Sequence, residues 1–163
     1  MIDRFTHAIE INDEITFALI LNNHPHLVNH ENENGLTPLG LAALYGRLDM
    51  VRTLLEKGAD ANAVSHSQIL NIPSNTALHA AIAGKKNPEI IRMLIDAMDS
   101  VDVADSNGYT PLHMAAFDDS ASIAQLLIEA GADTYALSFK DESVMDIANK
   151  RNSQKIIKYL KDR

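Results

Sequence analysis

The residues most able to do chemistry in this 163-residue chain are its seven histidines. His24, His26 and His30 are close together, and His26 and His30, four apart, would share one face of a helix. Neutral imidazoles hold metals or carry protons near pH 7. Against that, Pro25 interrupts the group, the segment reads as a loop, and no carboxylate stands at a spacing diagnostic of zinc or iron. A metal-binding or enzymatic protein built on these three histidines is therefore an alternative rather than the leading reading. Asp118, Asp119 and Asp133 suggest paired carboxylates, but Asp118-Asp119 reads more simply as a solvated turn. There is no Gly-x-Ser-x-Gly, no glycine-rich phosphate loop and no cysteine. No catalytic residue, metal ligand or cofactor is assigned, and the chain is not expected to be an enzyme.

The elements that would position side chains are clearest from Asn107 to Ala136. Asn107-Gly108 is a turn signal. Thr110-Pro111 starts a helix: the threonine caps free N–H groups, and proline at the first helical position loses no hydrogen bond. Ile123, Leu126 and Leu127 follow helical spacing in a second segment that Gly131 ends. Each helix is two or three turns long, too short to stand alone in water. Neighbours of the same kind lie at 34–63, 74–104 and, truncated, from 142 onward. Their starts, Thr37, Thr76, Thr110 and Ser143, are separated by 39, 34 and 33 residues.

A period near 33 with Thr-Pro-Leu-His-x-Ala is the signature of ankyrin repeats, and the chain resembles that family. The resemblance implies an all-α solenoid of stacked helix–turn–helix units with hairpin finger loops, as one domain over 1–163. Its repeats would be a cap at about 1–33, then 34–64, 65–104 with a loop insertion, 105–138, and a cap at 139–163. In the first, Phe5 with Ile9 and Ile15 with Leu19 stand four apart, the spacing of one helix face. The long interval places about six extra residues in Ser65–Asn75, at the finger. Two readings stand for it: a binding finger, or an insertion whose Ile and Leu fold back on neighbouring repeats. Lys85-Lys86-Asn87-Pro88 lengthens one turn, and Lys161-Asp162-Arg163 ends the chain on polar residues. His79 and His113 take the histidine place of the motif, where the family uses it to hydrogen-bond framework groups.

Composition bounds the rest. A hydrophobic fraction of 46% fits an ordered protein. No apolar run is long enough to span a membrane, and the acidic first twenty residues are no secretory signal, so a cytoplasmic location is expected. A net charge of −8 argues against nucleic acid. What remains is surface. The resemblance implies a partner bound at the finger tips and the exposed side of the inner helices. The corresponding residues are Glu33, Asn34 and Leu36; Ser106, Asn107 and Tyr109; Leu44, Tyr45, Phe117 and Asp118; Gln68, Ile69, Leu70 and Ile72 of the long finger, with Ala83; and Lys140 and Glu142. The expectation is a non-catalytic protein–protein interaction module that binds a folded partner with a basic patch, and is itself a monomer. Its size and charge fit an inhibitor or immunity-type regulator. A structural spacer without a dedicated partner is the other alternative.

Overall fold

The computed structural model describes residues 1–85 and 87–162. Lys86 of the lengthened turn and Arg163 of the polar tail lie outside the described residues. The helices come in pairs, as the repeats require: α1 (Ile2–Ile11) with α2 (Glu14–Asn23), α3 (Pro38–Leu44) with α4 (Leu48–Glu56), α5 (Ala77–Ala83) with α6 (Pro88–Ala97), α7 (Pro111–Phe117) with α8 (Ala121–Glu129), and α9 (Val144–Arg151) with α10 (Gln154–Lys161). The fold is all-α. Among the described residues the β pairing is one isolated bridge, Leu137 to Ser143.

The chain packs into two compact units, Met1–Met98 and Asp99–Arg163. In the first, α3 packs on α5 and α1, while α4 packs on α6. In the second, α7 packs on α9, and α8 on α10. The inner helices α3, α5, α7 and α9 start at Thr37, Thr76, Thr110 and Ser143, as the repeat spacing predicts. Their small residues, such as Ala42, Ala81 and Ala115, are buried and let helices approach closely. The outer helices bury larger aliphatics: Val51 and Leu54 in α4, Ile91 and Leu94 in α6. Burying each such side chain is worth roughly 1.5–3 kcal/mol, which short helices cannot obtain alone.

One expectation for the first repeat is corrected. His24–His30 is not plain loop: Pro25–Asn29 forms a 3₁₀ turn, with proline at its start and Leu27 and Val28 buried beneath it. His24 and His26 meet edge to face at 5.8 Å between ring centroids. Phe5 and Ile9 do bury, Phe5 stacked on Phe17, but Ile15 and Leu19 are 83% and 58% exposed. The buried face of α2 is Phe17, Ile20 and Leu21 instead. A helix that is apolar nearly all round cannot have its inner face chosen by periodicity.

Candidate partner-binding site

Each finger is closed by the same device. Asn32, Ser65, Asp105 and Ser138 donate their N–H groups to the carbonyls of Leu36, Asn75, Tyr109 and Glu142, at 2.9–3.0 Å. Their side chains accept from the loop they close: Asn32 from the Asn34 and Leu36 N–H groups, Asp105 from Asn107 and Tyr109, Ser138 from Lys140 and Glu142. In the long finger, Ser65 Oγ accepts the Asn75 N–H at 3.1 Å. A short polar side chain here competes for backbone groups that a loop would otherwise leave to water. Asn34 and Gly35 accept from Gln68 and His66, joining two fingers, and Asn107 accepts from Phe139 in the second unit. The loops between repeats are laddered too. Asn29 accepts the Asp60 N–H, and Asp102 accepts the Asp133 N–H.

The insertion in the long finger does not fold back at its tip. Ile72 closes a turn on the Ile69 carbonyl, and Asn71 takes a positive φ of 66°. Leu70 is left 86% exposed and Ile72 44% exposed, while Ile69 is half-buried. Of the other residues expected at the site, Glu33, Asn34, Gln68, Ser106, Asn107, Phe117, Asp118 and Lys140 are exposed, as is Ala83. Leu36, Leu44, Tyr45, Tyr109 and Glu142 are half-buried.

In the second unit several of these side chains engage each other. The Tyr109 hydroxyl donates to Glu142 Oε2 at 2.8 Å, and the Lys150 ammonium caps Oε1 of the same carboxylate. Lys150 and then Tyr109 hold the Glu142 carboxyl below its ordinary range, and the carboxylate in turn raises the pKa of Tyr109 and of Lys150. Tyr109 also leans on His113, 5.7 Å between centroids. His113 is buried beneath it. Its Nδ1 accepts the Thr110 N–H at 3.1 Å, and its Nε2 donates to the Glu142 carbonyl at 3.1 Å. Burial pushes its pKa down. Phe117 carries the Arg151 guanidinium 3.9 Å from its ring centroid, a cation–π contact. In the first unit Arg47 stands 5.8 Å from the Tyr45 ring centroid.

The arrangement offers shape, apolar area and charge, and the hydroxyls that meet a base, Thr110 at His113 Nδ1 and Ser143 at Asp146, are helix caps. Among the described residues no group of three or more His, Asp or Glu is placed to hold a metal, and no helix is long and apolar enough to cross a membrane. Sequence reasoning missed Tyr135, Leu137 and Phe139, which are 85%, 56% and 77% exposed. Phe139 follows Ser138 as Glu33 follows Asn32, so carrying the repeat alignment through the last finger finds it. Arg151 was missed because a charged residue gives no signal of the ring it covers.

Comparison with known proteins agrees with the repeat fold. The family profile described as ankyrin repeats (3 copies) matches residues 63–138, and one described as ankyrin repeats (many copies) matches residues 19–67. The chain is 35% identical over 133 residues to the ankyrin repeat and KH domain-containing protein mask-1 of Caenorhabditis elegans, covering 82% of this chain and 5% of that protein. It is 38% identical over 109 residues to the RelA-associated inhibitor of Mus musculus, covering 65% of this chain and 12% of that protein. It is 27% identical over 153 residues to the target of rapamycin complex 2 subunit AVO2 of Saccharomyces cerevisiae, covering 93% of this chain and 35% of that protein. The chain thus spans about a third or less of the length of these relatives.

Proposed function

The chain belongs to the ankyrin-repeat family, and from that premise we propose that it is a non-catalytic module that grips a folded protein with its fingers and inner helices. One observation carries this reading. The six-residue insertion is closed at its base by the Ser65–Asn75 hydrogen bonds and still presents Leu70 to solvent at 86% exposure. A single exposed leucine is ordinary, but one set with the exposed Ile72 on an extra loop whose stem is bonded to the Asn34–Gly35 finger is the makeup of an interface anchor. The net charge of −8 suits a partner with a basic patch. The role that fits an acidic binder is masking, as an inhibitor or immunity-type regulator. The likeness to a relative named as an inhibitor supports that role.

The test is affinity capture from the source cell with Leu70→Ser and with Phe117→Ala. Leu70→Ser should melt within about 0.5 kcal/mol of wild type, and Phe117→Ala, which also gives up the Arg151 cation–π contact, should cost about 0.5–1 kcal/mol. Capture of the native partner should drop at least about tenfold for Leu70→Ser. Undiminished capture by both variants would remove the finger and inner-helix face as the binding site.

A further inference from the structure

The outer helices share one register, counted from their N-caps Asp13, Arg47, Asn87, Ser120 and Ser153. Residues four and seven beyond the cap are fully buried in α4 (Val51, Leu54) and α6 (Ile91, Leu94). In α10 the same places hold Ile157 and Leu160, and both are only half-buried. The second place beyond the cap is polar in α4, α6, α8 and α10 (Asp49, Glu89, Ser122, Lys155), but α2 puts Ile15 there, 83% exposed. The sixth place is half-buried in α4, α6 and α8, yet Leu19 in α2 is 58% exposed. Repeat arrays normally face solvent with a polar outer surface. Here the α1–α2 repeat leaves aliphatic side chains open, and the α9–α10 repeat leaves core positions half covered.

The two faces carry opposite charge. Asp3, Glu10, Asp13 and Glu14 accompany the first, and Arg4 is the one Lys or Arg before residue 34. Lys155, Lys158 and Lys161 of α10 accompany the second, while Lys150 and Arg151 are engaged by Glu142 and Phe117. We propose that the α9–α10 repeat of one copy of this chain stacks on the α1–α2 repeat of a second copy, head to tail, continuing repeat-on-repeat packing across the junction. The pattern for the contact exists within the chain. Arg52, five beyond its cap, reaches Glu89, two beyond the cap of the next outer helix, at 3.3 Å. At the junction Lys158 takes the place of Arg52, its aliphatic stem over Ile15 of the second copy and its ammonium toward Glu14. Pairing like with like would set acids against acids or lysines against lysines, so charge selects the heterologous arrangement. The proposal departs from the monomer expected from the sequence. It uses helix faces rather than fingers, so it stands or falls independently of the partner proposed above.

Sedimentation equilibrium of the 163-residue chain tests it. At about 20 mM salt the weight-average mass should climb above 17.9 kDa with concentration, and at about 500 mM it should fall back toward 17.9 kDa. Ile15→Glu with Leu19→Glu, and separately Lys155→Glu with Lys158→Glu, should each hold the chain at 17.9 kDa with an unchanged melting curve. Mixed in equal amounts, the two variants each retain one intact face and should form a pair of about twice 17.9 kDa that grows no further. A wild-type chain that stays at the monomer mass throughout, or a mixture that stays monomeric when the wild type associates, would overturn the proposal. So would one double variant that still pairs with itself.

Discussion

At the scale of single residues, His113 is the group whose chemistry is most constrained. Its Nδ1 accepts an N–H and its Nε2 donates, so the ring is neutral in the fold, and protonating Nδ1 would point one N–H at another. Burial holds its pKa below the ordinary histidine value. In the unfolded chain the ring takes up a proton near pH 6.5. Below about that pH the unfolded state binds more protons than the folded one, and stability is lost on acidification from there down to the depressed folded pKa. The melting temperature should therefore fall between about pH 7.5 and 5.5. His113→Asn should lower stability at pH 7.5 by about 1–3 kcal/mol, through loss of a buried hydrogen-bonding group, and should flatten the pH slope. Thermal melts across the range check both, and an unchanged slope would clear His113 of the effect. Glu142, Asp146 and Asp13 also have lowered pKa values, held by Lys150, Ser143 and Thr16 respectively. Their contribution is present above the unfolded carboxylate range and lost in a separate, more acidic window, below about pH 4.

At the scale of elements, the fingers depend on close backbone approach. Gly35 has φ of 71°, and a Cβ there would lie 2.0 Å from the His66 carbonyl oxygen. Gly58 also has positive φ, 89°, but a Cβ there meets nothing within 4 Å. Gly58→Ala should cost only the conformational term, about 1–2 kcal/mol. Gly35→Ala should cost more than that, because the obstacle is backbone and cannot rotate away, and should break the hydrogen bonds that pair the first two fingers. Chemical denaturation orders the two variants, and equal losses would mean that the fingers separate freely. The repeat alignment makes both glycines legible in the sequence as turn and helix stop. It does not tell them apart, because His66 approaches Gly35 from a finger thirty residues away.

At the scale of the whole molecule, charge is the property that acts at a distance. With a net charge of −8, association with a basic partner should be steered electrostatically. Its on-rate should fall about tenfold or more between about 50 mM and 500 mM salt, while the off-rate changes little. Stopped-flow association over that range, once a partner is in hand, checks this. A salt-independent on-rate would mean that apolar contacts alone guide binding.

What the chain alone determined is what repeats: four helix starts at near-regular intervals, capping threonines before proline, alanines inside and aliphatics outside, and six extra residues at one finger. Those features are local, so one pass along the sequence finds them. Tertiary structure decided which equivalent positions are left uncovered. Ile15 and Leu19 have the spacing of one helix face but lie exposed, since nothing in α2 distinguishes its inner side from its outer side until α1 lies against it. Leu70 could have folded inward, but it lies exposed in the tip turn that Ile72 closes on the Ile69 carbonyl. Phe117 and Tyr109 meet Arg151 and Glu142 from the following repeat, more than thirty residues on. Such encounters depend on how one repeat is set against the next, and spacing within a single repeat carries no information about that.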